Sequence, residues 1–192
     1  MDLYNNAGYT MDLSFSVMER AMFHVDNAYD LSHVTVRGHV CKTNLQSNTA
    51  FRGFGGPQGM MMTETFVDEV AAFLGKRPEA VRELNLYGGE APRTHYGQLL
   101  ENCTVRRCWS ECVRKAGFEE QLAAAEEFNR RNRWRKRGVS VVPVKFGIAF
   151  TGTHLNQSGA LVQVYKDGSV LVTHGGTEMG QGLHTKVIQV GR

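Results

Sequence analysis

The chain has 192 residues, 42% hydrophobic and 21% charged, with a formal net charge of +3, an ordinary balance for a soluble globular protein. That charge is too small to imply a polyanionic partner, and no apolar run approaches the roughly 18 residues a membrane span needs. The start, MDLYNNAGYTMDL, has neither the basic lead nor the apolar centre of a signal peptide, so the four cysteines read as reduced intracellular thiols, not a disulfide framework.

Residues 14–29, SFSVMERAMFHVDNAY, set Phe15, Met18, Met22 and Val25 on one helical stripe, with Ser14 as a candidate cap. Residues 34–41, VTVRGHVC, alternate and predict a strand with Gly38 at a bulge. Residues 42–56 have no period and read as a long polar, glycine-rich loop. Pro57 suits a first helical position and opens GMMMTETFVDEVAAF, which stops near Gly75. Pro78 starts a second helix, PEAVRELNLY, ended by Gly88 and Gly89.

From 100 to 137 the pattern is helical and heavily charged, with Gly138 as a natural C-cap. Beyond it the period switches to two. Residues 139–150 read as strand-like, and ALVQVY and SVLVTH flank Lys166-Asp167-Gly168, a hairpin signal because Asp-Gly suits a turn with positive φ. A second glycine loop, GGTEMGQG at 175–182, leads into the start of a helix. Helices dominate before Gly138 and strands after it, so the expected class is α+β with a junction there.

Four features could carry chemistry. Cys103, Cys108 and Cys112 make C-x4-C-x3-C, one residue longer in its last gap than a plant-type iron–sulfur loop; a cluster site is the lesser reading and buried thiols the favoured one, with Cys108 and Cys112 around Trp109 on one helix face. Residues 130–137, RRNRWRKR, hold six cations in eight residues. A polyanion patch is one reading, and a solvated helix end stabilised by the dipole is the other. His174 and His184 flank the second glycine loop without a metal-binding spacing. The two glycine loops, AFRGFGGPQG at 50–59 and GGTEMGQG, match no nucleotide-binding motif. Both lie at helix entries, where free N–H groups favour an anionic or electron-rich ligand, and glycine lets backbone approach it.

Longer matches go further. MER at 18–20, FHVDNAY at 23–29, CKTNLQSNTAFRGFGGPQGM at 41–60, KFGIAFT at 145–151, LNQSGALVQVY, DGSVLVTHGGTEMGQGLHTK at 167–186 and IQV span nearly the whole chain. Together they resemble the molybdenum-binding portion of the molybdenum hydroxylases. The resemblance implies parts of two molybdopterin-binding subdomains: residues 1–100 as the end of the first, 101–137 as a charged connection, and 138–192 as the start of the second. It implies a molybdenum–molybdopterin cofactor and, in the full-length parent, 2Fe-2S clusters, FAD and NAD. In that chemistry a glutamate deprotonates a metal-bound hydroxide, which attacks an electron-poor carbon beside a ring nitrogen, and two electrons leave through the clusters and flavin.

Carried over residue by residue, Arg52 is similar to an arginine beside the molybdenum ligands, with Phe51 and Gly53 in the same cofactor-lining stretch. Phe54 and Phe150 match two phenylalanines that hold a flat purine, and Thr151 matches a substrate-contacting threonine. Arg20 matches an arginine that hydrogen-bonds a purine oxygen, where a guanidinium can stabilise charge developing on the ring. Met179, Gly180 and Gln181 resemble a pterin-binding segment. Arg20 and Gly56 favour the purine-oxidising branch, which turns hypoxanthine and xanthine into urate, over the aldehyde-oxidising branch. The catalytic base is expected after Arg192, so the chain reads as an internal fragment, inactive alone, of a homodimeric enzyme of the cytoplasm or peroxisome. Its partners are then the purine and the parent's remaining domains, with no nucleic acid and no membrane. A polyanion-binding module using residues 130–137 is the alternative of another class. Alone, the fragment is expected to expose apolar faces such as residues 60–62.

Overall fold

The structure is a computed structural model that describes residues 1–191; Arg192 lies outside the described residues. The described chain is mixed helix and strand and forms two compact units, Met1–Gly147 and a second beginning at Ile148. No helix among the described residues is long and apolar enough to cross a membrane.

In the first unit, β1 (Asp2–Gly8) pairs in parallel with β2 (Arg37–Lys42), and α1 (Ser14–Met22) lies in the connection. A parallel pair requires such a crossover to bring the chain back to the same end. β1 escapes sequence reading because only Leu3 and Ala7 are buried apolar residues, separated by Tyr4, Asn5 and Asn6. The expected bulge at Gly38 is instead a register shift in β1, between Asn6 and Gly8. Gly38 pairs in register with Leu3, and its missing side chain serves packing: a Cβ there would lie 2.6 Å from the Met22 sulfur.

α1 stops at Met22 instead of running to Tyr29. Residues 23–28 turn, with Asn27 at φ 43°, because Asn27 Nδ2 donates to Glu64 Oε1 at 2.7 Å and to the Pro143 carbonyl at 2.9 Å. Asparagine tolerates this left-handed conformation better than most residues. Ser14 is the first helical residue and not the cap; its hydroxyl donates to the Asn48 carbonyl at 2.6 Å. Phe15 is exposed, while Met18, Ala21 and Val25 join Leu3 in one apolar cluster.

α2 (Gly56–Phe73) has proline in its first turn, as the sequence predicts. Of residues 60–62, Met60 is buried and Met61 and Met62 are exposed. α3 (Pro78–Asn85) ends before Leu86, which bridges Tyr29, while the Tyr87 N–H donates to the Ala28 carbonyl. The charged helical stretch is two helices, α4 (Val105–Ala116) and α5 (Phe118–Arg131), broken at Gly117 with φ 58°. α5 is closed by Asn132, not by Gly138. The main core gathers Ala28, Tyr29, Val67, Ala71, Val81, Leu86 and Trp109. Trp109 enters it, but Cys103, Cys108 and Cys112 are exposed, so the buried-thiol reading of those three does not hold.

Residues 139–150, expected as a strand, form none, although exposure alternates over 139–147. Val141, Pro143, Lys145 and Gly147 are more buried than Val142, Val144 and Phe146, so the period records burial against the turn at 24–28. Pro143 could not have served a central ladder in any case.

In the second unit, β3 (Ala160–Val164) and β4 (Val170–His174) form the expected antiparallel hairpin, Ala160 opposite His174. Gly168 has φ 84°, and Asp167 Oδ1 accepts from the Ser169 N–H and hydroxyl. The glycine loop then runs into α6 (Leu183–Val190), with Gly182 at its N-cap. None of this unit's described residues is buried.

Candidate functional site

The first glycine loop is built from three successive left-handed residues: Gly53 (φ 97°), Phe54 (φ 54°) and Gly55 (φ 95°). Such a conformation costs a phenylalanine on the order of 1–3 kcal/mol, and strain of this kind concentrates at ligand-holding sites. The Phe54 N–H donates to the Phe51 carbonyl at 2.7 Å, and the Gly56 N–H to that of Gly53 at 3.0 Å. Phe51 and Arg52 lie at the surface, and Phe54 is half-buried.

The glycines behind this loop have a packing role that their sequence does not announce. A Cβ on Gly55 would stand 2.0 Å from the Val17 carbonyl oxygen, one on Gly59 would stand 2.4 Å from that of Ala21, and one on Gly56 would meet the Phe146 ring at 2.5 Å. These three seat α2 and its entry loop on α1 and on Phe146. The spacing Gly55-x3-Gly59 is the one signal that could have suggested a close helix contact.

Arg20 lies on α1 and is buried, with 8% of its surface exposed. Its Nη1 donates to the Gly147 carbonyl at 3.2 Å, and its guanidinium lies 5.6 Å from the Phe146 ring centroid. His24, 2% exposed, has Nδ1 2.7 Å from the Arg20 carbonyl and accepts the Gly147 N–H at Nε2, 2.9 Å away. The partners set the tautomer: Nδ1 carries the proton. Burial pushes the imidazole below its ordinary value, and the Arg20 and Lys145 charges add to this, against the Arg20 carbonyl and Asp26.

Below this lies an ionic cluster. Asp26 Oδ2 accepts from the Tyr87 hydroxyl at 2.5 Å and from Lys145 Nζ at 2.6 Å, and His95 Nδ1 is 3.4 Å away. Glu64 Oε1 accepts from Tyr29 and Asn27, its Oε2 from Arg82 Nε, and Arg82 also reaches Asp68. Burial opposes the Asp26 charge, but His95, Lys145 and Tyr87 outweigh it and hold the carboxyl below the usual aspartate value. The stability this carboxylate contributes is therefore present above its unfolded value near 3.9 and lost as pH falls through the lower folded one. Asp26→Asn should cost about 1–3 kcal/mol at neutral pH and flatten the acid limb of a stability–pH curve. Urea unfolding at pH 7 and pH 3 checks both; an unchanged acid limb would show that other carboxylates control it.

In the second unit, Asn156 clamps the segment holding Phe150 and Thr151. Its Oδ1 accepts the Phe150 N–H at 2.8 Å and its Nδ2 donates to the Phe150 carbonyl at 3.2 Å. The second glycine loop is held by its own side chains. Gln181 Oε1 accepts the Met179 N–H and its Nε2 donates to the Thr177 carbonyl. Glu178, which no motif or spacing singles out, collects the N–H groups of Gly180 and Gly182 on Oε1, at 2.7 and 3.0 Å, and that of His184 on Oε2 at 3.3 Å. Desolvation opposes the Glu178 charge, yet these amides hold its carboxyl below the ordinary glutamate value. The amides of Gly182 and His184, expected to face a ligand, are thus occupied from within. Glu178→Ala should accelerate amide exchange at Gly180, Gly182 and His184 while leaving the hairpin amides alone; hydrogen-exchange NMR reads this directly.

The predicted site residues fall into two groups. Arg20, Phe51, Arg52, Gly53 and Phe54 belong to the first unit, and Phe150, Thr151, Met179, Gly180 and Gln181 to the second. The His174 and His184 rings lie 5.5 Å apart beside the second loop. A cavity of about 450 Å³ between Trp109 and residues 141–145 is lined by none of these predicted residues. The basic run is spent largely on local contacts. Arg130 and Arg131 pair with Glu127, Arg133 lies over Trp134, Arg137 lies 3.9 Å from the Phe128 ring centroid, and Lys136 Nζ donates to the Asn129 carbonyl.

Two family models, each described as a molybdopterin cofactor-binding domain, match residues 1–86 and 111–191. Xanthine dehydrogenase/oxidase of Gallus gallus is 57% identical over 187 residues, 97% of this chain and 14% of that protein. Xanthine dehydrogenase 1 of Arabidopsis thaliana is 57% identical over 190 residues, 99% of this chain and again 14% of the relative. The chain thus spans a small part of the length of these relatives. Among solved structures, the aldehyde oxidoreductase of Desulfovibrio desulfuricans superposes with a TM-score of 0.74 at 27% identity, covering 88% of this chain and 18% of that one. The Desulfovibrio gigas enzyme, at 19% identity and a TM-score of 0.61 over 89% of this chain and 19% of its own, shows the shared fold alone.

Proposed function

The chain belongs to the family of molybdopterin cofactor-binding domains, and from that membership we propose that it forms part of a xanthine dehydrogenase-type molybdenum hydroxylase oxidising hypoxanthine and xanthine to urate. The observation that carries the purine reading is Arg20, a buried guanidinium held on a backbone carbonyl. A cation so placed suits a substrate with ring oxygens and would be idle against a plain aldehyde.

The residues present fit the implied cofactor. The loop at 176–182 keeps its shape through Glu178 and Gln181, and the space beyond Gly182, where a Cβ would stand, is open. The Arg52 guanidinium is the kind of charged donor that suits an anionic pterin phosphate. In this reading Arg52, Phe51 and Gly53 of the first unit and Met179, Gly180 and Gln181 of the second are the cofactor-binding residues. Bound there, molybdenum–molybdopterin supplies oxygen transfer and two-electron redox chemistry.

The chain's own residues bind and orient. Phe54 and Phe150 present aromatic surfaces for a planar heterocycle, adding about 0.5–1.5 kcal/mol beyond burial for each such ring contact. Thr151 offers a hydroxyl, and Arg20 donates to the purine oxygen where negative charge grows. We assign no base to this chain; the deprotonating glutamate belongs to a later part of a longer, homodimeric, cytoplasmic protein that also holds 2Fe-2S clusters, FAD and an NAD site. The test is the substrate profile of the full-length enzyme carrying Arg20→Met. A purine rate that falls no more than the aldehyde rate would favour an aldehyde oxidase-like enzyme instead.

A further inference from the structure

We infer that His24 is a positioning residue for Arg20, acting through the Gly147 peptide; this rests on the reading of Arg20 as the purine-orienting cation. Gly147 is gripped on both sides: its N–H goes to His24 Nε2 at 2.9 Å and its carbonyl accepts Arg20 Nη1 at 3.2 Å. The other ring nitrogen of His24 donates to the Arg20 backbone carbonyl at 2.7 Å. One imidazole therefore spans from the main chain of Arg20 to the residue whose carbonyl holds its side chain, and the ring closes through the guanidinium.

Three further observations bear on this. A Cβ at Gly147 would stand 2.8 Å from Arg20 Nη1 and 3.5 Å from His24 Nε2, so glycine is what lets both groups close on that peptide. The His24 ring packs on Phe146 at 4.8 Å between centroids, and Arg20 lies over the same ring, so side chain and clamp share one wall. Burial is nearly complete for His24, so its ring nitrogens depend on the Arg20 carbonyl and the Gly147 N–H as partners.

The device works with neutral His24. A proton on Nε2 would turn the acceptor into a donor facing the Gly147 N–H, and would add a cation beside Arg20 and Lys145, opposed by the Arg20 carbonyl and Asp26. Purine turnover that depends on Arg20 should then weaken on the acid side relative to turnover that does not. Misplacing a binding group by about 1 Å can cost up to about 10²-fold in rate.

The experiment compares His24→Gln, His24→Asn and Arg20→Met in the full-length enzyme, with xanthine and a small aromatic aldehyde as substrates. Glutamine sets an acceptor oxygen where Nε2 stands; asparagine keeps a donor towards the Arg20 carbonyl but is too short to reach Gly147. The expected result is a purine-to-aldehyde ratio of kcat/KM that falls on the order of tenfold or more in His24→Asn and stays within about threefold of wild type in His24→Gln. The wild-type ratio should drop with falling pH, and the His24→Gln ratio should not. Equal ratios in the asparagine and glutamine variants, or an acid drop that persists in His24→Gln, would overturn the role of His24. If Arg20→Met itself leaves the ratio at the wild-type value, the purine-orienting reading fails, and that outcome is distinct from the failure of the His24 relay.

Discussion

Arg20→Met in the full-length enzyme is expected to lower kcat/KM for xanthine by roughly 10²–10³-fold, the loss that follows removal of one donor aimed at developing charge. The corresponding loss for an aldehyde should be several-fold at most, because that substrate offers no second oxygen to the guanidinium. Methionine has a similar reach and no charge, so packing against Phe146 is largely kept. The Gly147 carbonyl loses a donor, which costs stability on the order of 1 kcal/mol, and this penalty weighs equally on both substrates. The ratio of the two kcat/KM values therefore isolates the chemistry from the fold.

A second large effect is expected from Gly55→Ala. The alanine must hold φ 95°, outside the conformations its Cβ favours, and must bring that Cβ to 2.0 Å from the Val17 carbonyl oxygen. Left-handed backbone costs about 1–2 kcal/mol and forcing atoms into a packed interior about 1–3 kcal/mol, so a loss of roughly 2–5 kcal/mol is predicted. Against a typical domain stability of about 5–15 kcal/mol, that is enough to lower the midpoint of unfolding steeply. Gly75→Ala provides the control, since Gly75 also has positive φ, 61°, but a Cβ added there would meet nothing within 4 Å. Chemical unfolding of the two variants side by side separates the terms. Equal shifts would mean that the α1 carbonyl does not press on Gly55.

The helix from Pro57, the hairpin around Asp167-Gly168 and the helix after Gly182 are legible in the sequence because each carries a local signal: a fixed φ, a turn that needs positive φ, a period. What is not legible is decided over distance. β1 reads as a polar stretch until its partner thirty-odd residues on gives Leu3 and Ala7 a buried side. The alternation at 139–147 is real, but the surface it packs on is a turn, and no local rule tells a turn from a neighbouring strand. Likewise α1 ends early because Asn27 finds Glu64 and Pro143, residues far along the chain.

For the site, the long motifs locate the loops but not the division of labour within them. The glycines of AFRGFGGPQG look alike in sequence, yet Gly55, Gly56 and Gly59 face protein atoms. Glu178 and His24 carry no period or spacing of their own, and they appear only when their hydrogen bonds to backbone groups are traced.

The Lys145–Asp26 ion pair also dictates an order of events during synthesis. Asp26 precedes its cationic partner by 119 residues. Until Lys145 emerges a nascent chain has this carboxylate without its ammonium, so the turn at 24–28 cannot close in its final form before then. Loop closure over such a span costs only a few kcal/mol more than over a short one, since the penalty grows with the logarithm of length, but the search is slow. Any dissection of this polypeptide meant to yield a foldable first unit must therefore be cut after residue 147, not at the end of its last helix.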